Sequence, residues 1–233
     1  MGYRETYLYW KKSVQEENLL RELESIRDDD TQIKERFVDD LIFGTAGLRG
    51  ILGAGTMRMN RYVIGRATQG MADYLLSQNK PDVRMVIAYD SRQFSREFAE
   101  ETARVFAANG IKAFLFKELT SVPELSFAVR HLKADGGVVI TASHNPREYN
   151  GYKAYAAYGG QLGPYQSRAV MNFIRKLDPF VDVRRVDYQE GLARGLIIEI
   201  GEEMDRIYYE RMISLCPPES GGDLPEWIAV RAA

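Results

Sequence analysis

The chain has 233 residues, with 31 Lys and Arg against 33 Asp and Glu, a net charge of -2 and a pI near 5.9. That balance excludes the cationic field of a nucleic-acid-binding surface or a polybasic membrane patch. The single cysteine, Cys216, excludes an internal disulfide and a Cys-rich zinc site, and suits a reducing compartment. With 45% hydrophobic residues, no apolar run of membrane-spanning length and no leader-like N-terminus, the sequence reads as a cytoplasmic globular protein. It is long enough for one full core and part of a second domain.

Residues 5–24 read as one helix, with Tyr7, Trp10, Val14, Leu19 and Leu23 on an imperfect apolar stripe. Asp28-Asp29-Asp30-Thr31 interrupts it, and Ile33, Phe37 and Leu41 predict a short second helix. Gly44 to Gly50 then reads as a flexible segment whose glycines let the backbone approach a ligand, with Arg49 as its one cation. A third helix is expected over 61–79, with Val63, Ala67, Met71, Tyr74 and Leu75 inward. From there α/β alternation begins: a strand over 85–89, a helix over 95–108 ended by Asn109-Gly110, and a strand over 111–116. Pro123 marks the first turn of a helix to about Leu132, and Gly136-Gly137 leads into the apolar run Val138-Val139-Ile140. This β-α-β-α-β order predicts crossover units in a layered α/β/α domain with a mixed, mainly parallel sheet.

Tyr152 to Tyr155 reads as a further strand near an edge, 165–176 as a helix, and 180–186 as extended. Residues 195–199 form either a linker or a short strand, and 201–215 a last helix. Pro217 to Asp223 is turn-like, and Trp227 to Val230 resembles the start of a strand. The expected division is a first domain over 1–190, then a linker and the opening of an unfinished second domain over 191–233.

Ser143, in Thr141-Ala142-Ser143-His144-Asn145-Pro146, stands at the end of that third α/β strand, where open α/β sheets place their chemistry. A serine alcohol needs a base, a metal or a positive field to act as a nucleophile; read plainly, it is a loop or capping serine. His144 could donate to a phosphoryl oxygen or steady the serine. No G-x-S-x-G elbow surrounds Ser143, so a serine hydrolase fits poorly. His131, within the preceding helix, reads as structural. Lys153, at the far end of a polar loop, could reach back past a tight turn at Asn150-Gly151 as acid, base or phosphate partner; otherwise it is a solvated strand lysine. Arg49 is either a phosphate clamp or a surface residue. Its glycine-rich surroundings match neither the P-loop nor G-x-G-x-x-G, so nucleotide binding has little support. Asp90-Ser91-Arg92, at another strand end, could line the same crevice or tie loops together.

Several separated stretches carry a resemblance. Gly44-Thr45-Ala46-Gly47-Leu48-Arg49-Gly50 is similar to the early arginine loop of the α-D-phosphohexomutases, the phosphoglucomutase and phosphomannomutase family. Thr141 to Pro146, continued by Asn150-Gly151-Tyr152-Lys153, resembles its phosphoserine loop. Ala88 to Arg92 and Gly159-Gly160-Gln161 also have counterparts. The likeness covers essentially the whole chain, and the long N-terminal lead-in looks most like the larger phosphoglucomutase/phosphopentomutase-like branch. It implies that Ser143 carries a phosphoryl group and passes it to a sugar monophosphate. A hexose 1,6-bisphosphate forms, turns over and returns its other phosphoryl, so that hexose 1-phosphate and hexose 6-phosphate interconvert. It further implies Mg2+ held in part by Ser143, with Arg49, Lys153 and His144 around the phosphate and sugar.

The family's Asp-Gly-Asp metal loop, sugar-recognition loop and second phosphate-binding loop have no counterpart here. No D-x-D follows Ser143, and Gly159-Gly160-Gln161 departs from relatives that often carry an acidic residue nearby. The expectation is a fragment that has negligible turnover alone and prefers phosphosugar to nucleic acid or membrane. The alternative is a non-catalytic domain that binds a phosphosugar or a protein partner, with self-association through surface left by missing domains. Glucose, mannose and pentose phosphate specificity are equally open.

Overall fold

The structure is a computed structural model that describes residues 2–44 and 47–215. Residues 1–201 form one compact unit. The chain opens with α1 (Tyr3–Ser13), α2 (Glu17–Ser25) and α3 (Asp30–Phe37). The sequence predicts one helix over 5–24, and two are found. The break at Val14–Glu16 has a tertiary cause: the Gln15 amide donates to the Tyr62 hydroxyl at 3.0 Å, and Glu16 accepts from Arg61 at 2.7 Å. Asp29 caps α3 by accepting from the Gln32 amide, which starts that helix earlier than its apolar stripe does. Leu41 lies beyond α3; its amide donates to the Thr56 carbonyl. Trp10, 1% exposed, packs edge-on against Phe37, Tyr62 and Phe180, so the lead-in has an aromatic core of its own.

The segment read as flexible contains β1 (Leu48–Ile51), while Thr45 and Ala46 lie outside the described residues. Glycine freedom suggests a loop there, but pairing along β5 overrides it. Then follow α4 (Arg61–Leu76), β2 (Arg84–Tyr89), α5 (Ser95–Ala108), β3 (Lys112–Phe116), α6 (Val122–His131), β4 (Gly136–Ile140) and β5 (Tyr149–Ala156). Next come α7 (Pro164–Ile174), α8 (Tyr188–Ala193) and β6 (Ile197–Ile200). No strand forms over 180–186, and α8, capped by Asp187, is an element that the sequence pattern does not predict. Val63 and Tyr74 of α4 are half-buried and pack against the core.

The sheet order is β1-β5-β4-β2-β3-β6. β4, β2, β3 and β6 run parallel, and β5 is antiparallel to both neighbours, so the sheet is mixed and mainly parallel. The α/β/α layering follows from the pleat. Met85, Ile87, Val138, Ile140 and Tyr152 meet α4, α5 and α7 on one face, and α6 covers β2 and β4 on the other. A Cβ added to Gly70 would collide with Ile174, so only glycine lets α4 approach α7 this closely.

The connection order puts β3 on one side of β2 and β4 on the other. That reversal is a topological switch point, and open α/β sheets bind ligands outside the strand C-termini there. The loops after β2 and β4 flank it. Residues 202–233 form the second unit, described through α9 (Glu202–Ser214), where Arg206 pairs with Glu210 one turn on. The strand expected at 227–230 and the turn at 217–223 lie outside the described residues. No helix among the described residues is long and apolar enough to cross a membrane.

Candidate active site

Ser143 stands three residues beyond β4, exposed, with φ of 57°. A non-glycine residue in that left-handed region persists only where its surroundings fix it. Here they do. The Ser143 amide donates to Thr141 Oγ1 at 2.9 Å. Arg92, from the loop after β2, holds the rest. One of its terminal nitrogens donates to the carbonyls of Ser143 (2.8 Å) and Asn145 (2.5 Å), the other to those of Pro146 (2.9 Å) and Tyr149 (3.0 Å). Asp90 holds the near side of this arginine, with a 3.6 Å ion pair to Nε and an accepted bond from its amide. The planar fork suits such multiple donation, and Lys could not copy it.

A second tie fixes the far side of the loop. Asn150 is fully buried in β5; its amide nitrogen donates to the Gln93 carbonyl at 2.9 Å and to Ser95 Oγ at 3.1 Å. Ser95 in turn donates to Asp90 at 2.8 Å. The expected tight turn at Asn150-Gly151 is therefore strand, and the chain reverses at Pro146–Tyr149, where the Tyr149 amide reaches the Pro146 carbonyl. Between the two strand ends lies an open crevice of about 820 Å³, lined by Asp90, Ser91, Arg92, Ser143, Asn145 and Arg147 among others.

Of the four expected site residues, Ser143 and His144 are in direct contact, and Arg49 reaches their loop through Asn145. Arg49 is opposite Gly151 on β1, and its guanidinium donates to Asn145 Oδ1 at 2.7 Å. Ser143 Oγ lies 3.4 Å from His144 Nδ1, a long contact for proton transfer. Lys153 does not touch Ser143. It is opposite Val139 on β5 and makes no hydrogen bond or ion pair among the described residues. Residues 151 and 153 share a face of β5, which brings Lys153 beside Arg49. Burial and that neighbouring cation hold its ammonium below the ordinary lysine range, with Asp90 opposing. Sequence reasoning marks Arg92 and Asn150 only as possible ties or as part of a turn. Their signal is position: polar residues directly after or within apolar strands at a switch point.

Mg2+ wants several oxygen ligands in octahedral array. Ser143 Oγ is one, and the described residues hold no cluster of three His, Cys, Asp or Glu side chains. Asp90 is engaged by Arg92 and Ser95. The residues present do not by themselves form a Mg2+ site.

Residues 40–179 match the family model for phosphoglucomutase/phosphomannomutase, alpha/beta/alpha domain I. The chain is 36% identical over 206 residues to a phosphoglucomutase of Staphylococcus saprophyticus, covering 88% of this chain and 37% of that protein. It is 36% identical over 211 residues to a phosphoribomutase of Saccharomyces cerevisiae, covering 87% and 34%. A crystal structure of a phosphomannomutase-type protein from Thermus thermophilus superposes with a TM-score of 0.65 at 26% identity, over 78% of this chain and 37% of that one. The chain thus spans just over a third of the length of these relatives.

Proposed function

Because the chain belongs to the phosphoglucomutase/phosphomannomutase family, we propose that Ser143 is the phosphoryl carrier of a phosphosugar mutase. The observation that carries this reading is the pinned, left-handed Ser143, exposed at the switch point among arginines. Phosphoryl transfer asks the protein mainly for positioning and charge. Arg92 and Asn150 supply the positioning. Arg49, already directed at the serine loop through Asn145, supplies a planar donor for phosphoryl oxygens.

In the proposed step the Ser143 Oγ–P bond breaks as a sugar hydroxyl oxygen bonds to phosphorus, and the hydroxyl proton passes by way of a base to Ser143 Oγ, which is left as a hydroxyl. Lys153, with its lowered affinity for a proton, is the candidate for that role. The reverse step returns the other phosphoryl of the hexose 1,6-bisphosphate to Ser143 and completes an intramolecular transfer. His144, beside Ser143, is the proposed contact to the sugar. Mg2+ belongs to the proposal for the longer protein, because this chain offers it Ser143 alone.

Hexose is the preferred substrate, and the phosphoglucomutase and phosphoribomutase relatives keep glucose, mannose and pentose phosphates in play. The division at residue 190, with a second domain beyond it, is likewise proposed. In a coupled assay with hexose 1-phosphate, the 233-residue chain is expected to show negligible turnover while incubation with hexose 1,6-bisphosphate adds one phosphoryl group to it. Family-like turnover by this chain would refute the fragment reading. Phosphoryl uptake at a residue other than Ser143 would refute the carrier reading.

A further inference from the structure

A second cavity, of about 480 Å³, lies between α2, the start of α4 and the first half of α5. Its floor is apolar, with Leu19, Leu52, Met59, Phe94 and Phe98. That size and lining suit a small organic molecule rather than an extended peptide. Glu16, Asn18, Leu19 and Glu22 of its lining lie before the 40–179 family match, so the site depends on the lead-in helices.

The charges select among ligands. Arg61 and Arg104 line the cavity, as do the carboxylates of Glu16, Glu22, Glu97, Glu100 and Glu101. The inner ones are neutralised: Glu22 pairs with Arg36, Glu16 with Arg61, and Glu101 with Arg61, Arg104 and Arg185. At the rim Glu100 pairs with exposed Arg96, and Glu97 is exposed with no ion-pair partner among the described residues. The lining itself carries these five glutamates against two arginines, and Glu97 has no ion-pair partner among the described residues, so an anion such as a phosphosugar is disfavoured here.

Gln93 and Phe94 form one wall, and Gln93 also lines the Ser143 crevice. Phe94 is left-handed, with φ of 64°, and lies two residues beyond the Arg92 clamp. The Gln93 carbonyl is the acceptor of buried Asn150. A ligand against Phe94 therefore presses on the segment that pins the serine loop.

We propose that this cavity binds a small organic cation with an aromatic body, and that its occupancy is felt at the Ser143 loop. The test is an amide NMR titration of the 233-residue chain with tryptamine, with neutral 3-methylindole and anionic indole-3-propionate as comparisons. Saturable shifts are expected at Leu52, Gly53, Gln93 and Phe94 with tryptamine, accompanied by shifts at Ser143 and Asn145. Glu97→Lys, an exposed change that leaves the fold intact, is expected to weaken tryptamine binding about fivefold by charge alone. Leu19→Trp, checked for folding by thermal melt, fills the floor and is expected to abolish it. Absence of saturable shifts at the cavity residues overturns the site, and equal affinity for the anion overturns the ligand class. Shifts confined to the cavity overturn the coupling. The amide readout does not depend on phosphotransfer, so either proposal can fail without the other.

Discussion

Arginines do opposite work at two places in the fold. Around Glu101, which is 3% exposed, Arg61, Arg104 and Arg185 converge on one carboxylate and tie α4, α5 and the 183–186 segment together. Around Ser143, Arg92 gives its donors to main-chain carbonyls, and Arg49 donates to a neutral amide oxygen. Carboxylate pairing answers the first set of cations; in the second, Arg92 has a 3.6 Å pair with Asp90, while Arg49 has no ion-pair partner among the described residues and keeps its charge available at a strand end. The difference separates a structural hub from a place prepared for an anion.

Substitutions sharpen or break that contrast. Glu101→Gln removes the charge that three guanidiniums share and is expected to cost about 3–5 kcal/mol in urea unfolding. A change below about 1 kcal/mol would mean that the hub is solvent-screened and not structural. Arg92→Ala is expected to cost less, about 1 kcal/mol, because the freed carbonyls lie near solvent. Its larger effect is on the serine loop: amide exchange at Ser143 and Asn145 should accelerate at least about tenfold, with Arg92→Lys recovering only part of the protection. Unchanged exchange would remove Arg92 from the positioning role.

The smallest effect concerns Lys153. Its folded-state pKa lies below the ordinary 10.5, so at neutral pH the folded chain holds an ammonium that the unfolded chain holds more easily. Stability on this account rises with pH from the folded value up to the ordinary lysine range, then levels off. Lys153→Met should therefore stabilise the protein at pH 7, with a gain that shrinks toward that upper range. A pH-independent difference between the two proteins would contradict the assignment.

Much of this contrast is legible along the chain. Ser143 behind Val138-Val139-Ile140, and Asp90-Ser91-Arg92 behind an earlier strand, announce two strand ends; that they are neighbours comes from the sheet order. Local pattern could not give the break at Val14–Glu16, because Tyr62 and Arg61 impose it from α4. It could not show β1 within the glycine-rich segment, because pairing with β5 decides it. Asn150 reads as a turn because Asn-Gly favours turns, whereas its buried side chain works as a bracket between β5 and the start of α5. The Glu101 hub leaves no local signature at all, since its arginines come from three segments.

The most direct test is to expose the folded 233-residue chain to hexose 1,6-bisphosphate and locate the transferred phosphoryl by peptide-resolved mass spectrometry. Ser91 lines the same crevice and serves as an internal control. The account predicts one phosphoryl, on Ser143, lost in Ser143→Ala and retained in Ser91→Ala. Phosphoryl on Ser91, or undiminished uptake by Ser143→Ala, would contradict it.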